Sequence, residues 1–480
     1  MRVVVVVVVM VVGMMDIGCR IRDKNSAEGK PGYMQGQYWK DQVIHDILPY
    51  WTQHARDTVN GGFYTTLDSA WKPFGDARKY PSMLSRHLFG YSVGYLLSGD
   101  QKYLDIARET VDYLLVHAWD PEFGGWYDVL DEYGNPLETT KSMFIQVYSI
   151  TGLAMYYFVT RDTSVLSYID KSNELLELKA WDREQGGYFN TMTRDWQVLD
   201  SGKSISSEIT PVSGYLLYLY QATHDRKYLD QCRRILDRIT ESMTDPESGW
   251  ILENFTREWQ YLPALQDETE VSIGHNIEVA WMLYRYYLIT GEKAYLDKAT
   301  RLTTKIYQYG THSDIGFWYN TVGRLNPEKS AGITYWWVQA YGIMFDLLTG
   351  HVLDQDKYLD DYRKGALFWD SLFVDRTNGD THFSVLANGT IRETLKANQF
   401  KASYHNAENG LLNYLYLNAW VNHEKVELFF YLKDNQNIND STFSPIEGNT
   451  LKVSAIDASN KPVVKVILES KTPNPKSNGY

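Results

Sequence analysis

The stretch Asp120-Pro-Glu-Phe-Gly124-Gly-Trp-Tyr127 decides the fold, because similar stretches return along the chain at a nearly constant interval. Each copy has an Asp followed within a few positions by a Gly, and in all but the sixth an aromatic residue follows that Gly directly or after a second Gly; the last two copies are the weakest. The glycines of the six copies are Gly61, Gly124, Gly186, Gly249, Gly316 and Gly379, at intervals of 63, 62, 63, 67 and 63 residues. A second motif, Tyr-Leu-Asp, begins at Tyr103, Tyr228, Tyr295 and Tyr358. Its intervals are 125 residues (two repeats), 67 and 63, so it shows the same longer fourth interval. Two unrelated motifs that stay in step indicate six structural repeats.

The segments between the glycine loops have the pattern of helices. Residues 102–116 and 294–306, for example, carry apolar side chains at three- and four-residue spacing. A repeat of this length holds two helices and a turn, and such a hairpin buries its apolar face only by stacking on its neighbours. Six hairpins can close into a ring, so we predict an all-α (α/α)6 toroid over residues 37–422. An open solenoid is the alternative, and it would need polar capping repeats that the sequence does not show.

The residue pattern changes from helical to strand-like after residue 422. Residues 426–432, 451–456 and 463–468 alternate in polarity and are rich in β-branched side chains, as strands are. We therefore predict that residues 423–480 form a small C-terminal β appendage followed by a frayed tail.

The N-terminus has the pattern of an export signal. Arg2 precedes an apolar run over residues 3–15, and Gly18-Cys19 follows. The run is shorter than the ~20 residues that span a bilayer, and we find no other segment that could cross a membrane. Gly18-Cys19 resembles a bacterial lipoprotein cleavage site, although an ordinary signal peptide over residues 1–19 is the alternative. We expect an exported protein, periplasmic or anchored to the membrane through lipid on Cys19.

Composition excludes several classes of protein. The 480 residues are 44% hydrophobic and 22% charged, which is typical of a well-packed globular chain. The net charge is −13 without a Lys- or Arg-rich run, so nucleic acid is not an expected partner. The 15 Trp and 37 Tyr fit a carbohydrate cleft, but a large helical core would account for them equally.

The repeat also predicts where the functional residues lie. Residues at one phase of every repeat occupy equivalent places, and polar or titratable side chains at an inward phase indicate a site. Counting 25 or 26 residues from each loop glycine gives Arg86, Ser149, Pro211, His275, Tyr341 and His405. Counting 17 back from each Tyr-Leu-Asp replaces His275 by Glu278, one helical turn away on the same face. Each residue alone could be a cap or an ion-pair partner, but their joint occurrence at one phase indicates a site.

Four motifs at these positions resemble those of the N-acylglucosamine 2-epimerase superfamily, which includes cellobiose 2-epimerases and aldose–ketose isomerases. The most specific match is Gly274-His275-Asn276-Ile277-Glu278-Val-Ala-Trp281, similar to the family's Gly-His-Asp-Ile-Glu-x-x-Trp. The other three are Lys401-Ala-Ser-Tyr404-His405-Asn406, Trp336-Trp337-Val-Gln339-Ala340 and Leu84-Ser-Arg86. The resemblance covers the toroid and implies an (α/α)6 barrel.

The resemblance also implies roles for individual residues. His275 and His405 correspond to paired acid/base histidines, and Arg86 and Glu278 lie beside them as further catalytic residues. The residues predicted to bind substrate are Trp281, Trp337, Tyr341, Tyr404 and Asn406.

This sequence departs from the family at three places. The family usually has Glu where this chain has Tyr341, and often has Arg after Tyr-His-Asn, where this chain has Ala407-Glu408. Some members have an additional His in the third repeat, tied to sugar ring opening, where this chain offers Pro211 and Gly214. The identity of the sugar therefore does not transfer.

Two histidines and a cation suit proton transfer at the C2 carbon of a sugar. A neutral His can remove the proton, because its ordinary pKa of about 6.5 suits work near pH 7. Arg86 would stabilise the enediolate, and the second His would return the proton, giving the epimer or, at the neighbouring carbon, the ketose. We expect Glu278 to orient the His275 ring. The substrate would be a mono- or oligosaccharide, and the sequence gives no motif for a cofactor or a metal.

Three other functions remain open. A polysaccharide lyase would use Tyr341 or Tyr404 with Asn406. A glycoside hydrolase needs two carboxylates, and only Glu278 lies at the shared phase. A sugar-binding protein without catalysis is the third.

Overall fold

The computed structural model describes residues 31–263, 269–433, 451–459 and 462–470. The predicted export signal with Cys19 and the predicted tail over residues 471–480 lie outside these described residues. After a short 3-10 turn at Gly32–Met34, twelve helices run through the described chain; where numbers alone are given, α-helical turns continue into π-helical turns. The helices are α1 (36–54), α2 (Pro81–Ser98), α3 (101–118), α4 (Met143–Thr160), α5 (163–180), α6 (205–223), α7 (226–243), α8 (Ile273–Thr290), α9 (Lys293–Tyr309), α10 (Trp336–Leu353), α11 (357–373) and α12 (404–422).

The even-numbered helices form a closed inner ring. Each contacts the next in the order α2, α4, α6, α8, α10 and α12, and α12 contacts α2 again. The odd-numbered helices surround this ring. Inner helices are enclosed on all sides, so α2 buries every residue from Pro81 to Leu97, whereas the outer helix α7 buries only one apolar stripe. The predicted (α/α)6 barrel is confirmed, and an open solenoid is excluded.

The glycine loops join each outer helix to the inner helix that follows, at one end of the barrel. In the second loop Asp120 accepts the N–H groups of Glu122 and Phe123, and Gly124 has a φ of 70° that favours glycine. Lys141, at the start of the next inner helix, lies 3.1 Å from the Asp120 carboxylate, and both side chains are buried. The same buried pair recurs in three other repeats as Lys79 with Asp57, Lys203 with Asp182, and Lys396 with Asp375.

Tryptophans connect neighbouring loops. Each has a positive φ and donates its indole N–H to a backbone carbonyl of the preceding loop. The pairs are Trp196 with Phe123, Trp259 with Gln185 and Trp71 with Asn378. The last pair joins the first loop to the sixth and so closes the ring at its seam.

Seventeen strands are present in the described chain, most of them short pairs within the loops. They are β1 (Val129–Leu130), β2 (Pro136–Glu138), β3 (Lys141–Ser142), β4 (Thr191–Met192), β5 (Val198–Asp200), β6 (Lys203–Ser204), β7 (Asn254–Phe255), β8 (Val271–Ser272), β9 (Thr311–His312), β10 (Phe317–Trp318), β11 (Thr321–Val322), β12 (Ile333–Tyr335), β13 (Ser384–Leu386), β14 (Ile391–Glu393), β15 (Val426–Tyr431), β16 (Leu451–Asp457) and β17 (Val463–Ser470).

The last three strands form an antiparallel sheet in the order β15-β17-β16, in which Val426 pairs with Leu468. Strand β15 packs on α2 and α4 near their C-terminal ends, where the Phe430 ring lies 5.8 Å from that of Phe158. The sheet therefore lies at the end of the barrel opposite the glycine loops. Strands occupy each of the three segments predicted after residue 422.

One apolar helix corrects the membrane expectation. Within the residues that the structure describes, α4 alone is long and apolar enough to cross a membrane by length and composition, with a mean hydropathy of 1.2. We predicted no such segment. The helix is 94% buried inside the protein, and its place in the inner ring accounts for its apolar character.

Candidate active site

A cavity of about 260 Å³ opens where the inner helices begin. Its lining includes residues from the first two turns of all six inner helices, so every repeat contributes to it. The lining residues are Arg86, Phe144, Tyr148, Ser206, His275, Glu278, Trp336, Trp337, Tyr341, Phe400 and His405. Six predicted site residues are therefore brought together, namely Arg86, His275, Glu278, Trp337, Tyr341 and His405.

His275 lies at the start of α8 beside a carboxylate. The hydroxyl of Ser272 accepts its backbone N–H, and its ring Nδ1 lies 2.9 Å from both carboxylate oxygens of Glu253. Burial lowers the pKa of His275, but the Glu253 carboxylate outweighs burial and raises that pKa to about 9. His275 is consequently an imidazolium at neutral pH. We expected Glu278 to orient this ring, and that expectation is corrected, because Glu253 holds Nδ1.

His405 lies at the start of α12 in apolar surroundings. Its ring is packed between Tyr341 and Tyr404, with ring centroids 5.4 and 4.6 Å away, and its Nδ1 has no hydrogen-bond partner in the described chain. Burial lowers the pKa of His405 well below its ordinary value, and the positive charges of Arg86 and His275 lower it further. His405 is therefore a neutral imidazole, able to accept a proton.

Arg86 supplies a fixed positive charge to the same cavity. Its guanidinium carbon lies 3.8 Å from the ring centroid of Tyr148 and 5.3 Å from that of Phe144. One guanidinium nitrogen donates to the carbonyl of Gln399 at 3.1 Å, while Nε has no partner among the described residues. The aromatic stack and the hydrogen bond hold the cation in place and leave a donor for a substrate oxygen.

Glu278 and Tyr341 complete the wall. Burial raises the pKa of the Glu278 carboxyl, and the charge of His275 opposes that rise. Burial also raises the pKa of Tyr341 well above its ordinary value, so the phenol is neutral. The Tyr341 ring packs edge-on against Trp337 at 5.7 Å and so separates this face of the cavity from the barrel core.

Three predicted substrate-binding residues do not line the cavity. Asn406 is buried and donates to Asp380 and Thr381, at 2.6 and 2.9 Å. Trp281 is fully buried beneath Tyr341, and Tyr404 supports the His405 ring from the barrel interior. These three side chains are buried beside the cavity, and their predicted contact with substrate stays a prediction.

The amide of Asn406 belongs to a structural series. Equivalent amides on other inner helices also bind the glycine loop that precedes their own helix, each accepting a backbone N–H. The pairs are Gln146 with Trp126, Asn276 with Ile251 and Gln339 with Trp318. The motif residues at 276 and 406 therefore fix the helix to its loop, and the histidines beside them point elsewhere.

Sequence reasoning missed several residues of the site. Tyr148 is adjacent to the counted phase at Ser149, and Trp336 is adjacent to Trp337, so a tolerance of one residue would have found both. In the third repeat Ser206 lines the cavity, whereas Pro211 does not. Glu253 and Phe400 lie on loops, to which a helical count does not apply.

The sequence model of the family "N-acylglucosamine 2-epimerase (GlcNAc 2-epimerase)" matches residues 50–408. The chain belongs to this family. The cellobiose 2-epimerase of Bacteroides fragilis is 28% identical to it over 392 residues, which are 77% of this chain and 96% of that protein. The D-mannose isomerase of Marinomonas mediterranea is 21% identical over 72% of this chain and 89% of that protein. The predicted family and enzyme class, a carbohydrate epimerase or isomerase, are confirmed.

Solved structures show the same architecture. The structure of the cellobiose 2-epimerase from Bacillus thermoamylovorans superposes with a TM-score of 0.71 at 22% identity, covering 79% of this chain and 98% of that one. At this identity the likeness concerns the fold.

Proposed function

We propose that His275 and His405 exchange the proton on C2 of a reducing-end aldose through an enediolate. The observation that carries this proposal is that two imidazoles line one cavity in unlike surroundings: Glu253 lies 2.9 Å from Nδ1 of His275, whereas Nδ1 of His405 has no partner in the described chain. Both ring centroids lie near that of Trp337, at 5.4 and 6.2 Å, and these surroundings raise the pKa of His275 and lower that of His405. An acid and a base are thus present together at neutral pH.

The steps follow from these two states. His405 takes the proton from C2, and the electron pair of that bond moves to form a C1–C2 double bond while the carbonyl electrons move to O1. Arg86 stabilises the resulting enediolate oxygen. His275 then donates its proton to the opposite face of C2 while the O1 electrons re-form the C1 carbonyl, which gives the epimer. If C1 takes the proton instead, and the O2 proton passes to O1 as the C2 carbonyl forms, the product is the ketose. Exchange with solvent restores the starting protonation.

The cavity fits one sugar unit with an extension. Its volume of about 260 Å³ lies just below the ~300 Å³ at which small-molecule pockets usually begin. At its mouth the Phe400 side chain is 49% exposed, and its ring centroid lies 6.1 Å from that of Phe144. Aromatic faces of this kind pack against sugar rings, so this surface supports a second sugar. The names of the relatives make cellobiose and D-mannose the first substrates to test.

The competing functions find less support in the site. A lyase would need Asn406 at the substrate, but that amide is bonded to Asp380 and Thr381. A glycoside hydrolase would need two carboxylates that reach the scissile bond. In the described chain Glu278 is the one carboxylate among the lining residues, and the nearby Glu253 is bound to Nδ1 of His275.

Deuterium incorporation tests the proposed function. We would incubate cellobiose, D-mannose and D-glucose with the protein in deuterated water and follow the C2 proton by NMR. We expect an epimer or ketose carrying deuterium, and a loss of product formation of 10²-fold or more in His275→Ala and in His405→Ala. His312→Ala, outside the cavity, is the control. Full product formation by either variant would contradict the proposal, and an unsaturated product would point to a lyase.

We also propose that residues 1–19 direct export and that Cys19 carries lipid. The apolar run and Gly18-Cys19 support this. Expression of the full chain in a bacterium should place it in the membrane fraction, and Cys19→Ser should release it. A wild-type chain that stays in the cytosol would contradict export.

A further inference from the structure

We infer that Glu253 is a positioning residue. Its carboxylate fixes the orientation of the His275 ring and ensures that His275, and not His405, is the imidazolium of the pair. This inference rests on the proposed function for its catalytic meaning. Glu253 lies outside every motif that relates the chain to its family. It stands on the loop after Gly249, immediately before β7.

The geometry leaves Glu253 little freedom to move away. Its backbone carbonyl accepts the N–H of Ile205, the first residue of α6, at 2.9 Å. Its two carboxylate oxygens both lie 2.9 Å from Nδ1 of His275. The side chains are only 27% and 22% exposed, so water competes weakly for this contact. A carboxylate held in this way fixes the tautomer and the orientation of an imidazole.

The other side of the His275 ring is also fixed. The ring packs on Trp337, with centroids 5.4 Å apart. Trp337 fits closely over the neighbouring Gly274, since a Cβ on that glycine would lie 2.2 Å from the indole. With Nδ1 occupied by Glu253, Nε2 is the nitrogen left to face a substrate. His275 therefore presents one N–H in one direction.

The charges around the pair favour the proton on His275. Glu253 and Glu278 both raise its proton affinity, whereas His405 faces Arg86 and has no carboxylate among the groups that shift it. Tyr148 and Tyr341 are neutral phenols, because burial raises the pKa of each. The groups that face the pair are Arg86 on α2, Tyr148 on α4, Ser206 on α6, Glu253 on the loop, Glu278 on α8 and Tyr341 on α10.

The pH profile of Glu253→Gln tests the inference. The amide keeps the size and an acceptor oxygen but removes the charge. In the wild type we expect the alkaline limb of kcat/KM for C2 inversion, where His275 loses its proton, to lie at about pH 9. In Glu253→Gln this limb should move about two units lower, toward the ordinary imidazole value. Activity at pH 8 should then drop at least tenfold, with a much smaller change at pH 6.

Glu270→Gln is the matched control. This carboxylate lies on the loop before α8, pairs with Arg324 at 3.3 Å and does not line the cavity. Its removal should leave the alkaline limb unchanged. An unchanged limb in Glu253→Gln, or an equal shift in Glu270→Gln, would overturn the inference.

Imidazole ¹⁵N NMR of the wild type, without sugar, provides a readout independent of turnover and of variant folding. We expect the His275 signals of a protonated ring at pH 7.5 and those of a neutral His405. A His275 ring that is neutral at this pH overturns the inference even if sugars are epimerised. If His275 is protonated but the protein inverts no sugar, the inferred protonation of His275 is supported and the proposed function is contradicted.

Discussion

His275 and His405 lie at the start of equivalent helices, α8 and α12, yet the loops before them carry different residues at the position four after the loop glycine. In the fourth repeat the residue four after the loop glycine is Glu253, whose carboxylate binds His275. In the sixth repeat the equivalent residue is Phe383, which packs on Trp336 with ring centroids 4.7 Å apart. The backbones at these two positions make the same hydrogen bond: the carbonyls of Glu253 and Phe383 each accept the N–H of the first residue of an inner helix.

This difference shows how a repeat protein makes an acid and a base from one residue type. The scaffold places two imidazoles at equivalent phases, and the surrounding charges then separate their proton affinities. A carboxylate favours the charged ring, whereas burial beside a guanidinium favours the neutral one. The experiments below alter one side of this pair at a time.

Removal of the Arg86 charge should have the largest effect. In Arg86→Gln the enediolate loses its cation, and we expect kcat for C2 inversion to fall by about 10²–10³-fold. The proton affinity of His405 should rise as well, because Arg86 lowers it, so the acidic limb of the pH profile should move to higher pH. Steady-state kinetics between pH 5 and 9 measure both effects.

The control for this variant keeps the charge. Arg86→Lys should recover part of kcat and restore the acidic limb, although it cannot reproduce the planar stack on Tyr148. A kcat of Arg86→Gln within threefold of the wild type would remove Arg86 from the mechanism.

A carboxylate at position 383 should give His405 the kind of neighbour that Glu253 is for His275. In Phe383→Glu, His405 would gain a negative neighbour, so it should become neutral only at higher pH. We expect the acidic limb of kcat/KM to move to higher pH, and on that limb each unit of rise in the His405 pKa lowers its neutral fraction, and with it kcat/KM, tenfold. Phe383→Gln has the same size without the charge and should leave the limb where it is. Equal profiles for the two variants would show that position 383 does not reach His405.

The fold could be predicted because it depends on spacing. Six glycine loops in step with Tyr-Leu-Asp fix the number of hairpins, and the number of hairpins fixes the ring. A further signal was also readable, since each buried Lys follows its loop Asp by 21 or 22 residues in four repeats. These lysines bind the glycine loop to the segment that leads into the next inner helix in four of the six repeats.

The site could be predicted only in part. Consecutive residues on a helix point about 100° apart, so a motif such as Tyr404-His405-Asn406 contributes one side chain to the cavity and the others to the barrel. Motif matching alone assigned all three to the site. Glu253 could not be found by phase, because it lies on a loop, to which the helical count does not apply, and its role depends on the contact of its side chain with His275.

Glu208 is a second place where one repeat has a carboxylate and an equivalent position has an uncharged side chain. Here we expect a smaller effect, on stability. The equivalent Gln146 accepts the N–H of Trp126 and donates to its carbonyl, whereas Glu208 accepts the N–H of Tyr188 and leaves Oε2 without a partner among the described residues. Burial raises the pKa of Glu208 to about 7. The folded chain therefore binds a proton between about pH 4.5 and 7 that the unfolded chain does not, so this stabilisation is complete below that window and lost as the pH rises through 7.

Glu208→Gln should consequently stabilise the protein at alkaline pH. The amide supplies the missing donor without needing a proton, and we expect the free energy of unfolding to rise by about 1–3 kcal/mol at pH 8 and to change little at pH 5. Urea unfolding at the two pH values measures the difference. Gln146→Glu is the reciprocal variant and should lose stability as the pH rises from 5 to 8. If Glu208→Gln is no more stable than the wild type at pH 8, the Glu208 carboxyl does not replace the amide as a protonated hydrogen-bond donor. Burial alone would then not determine its protonation state.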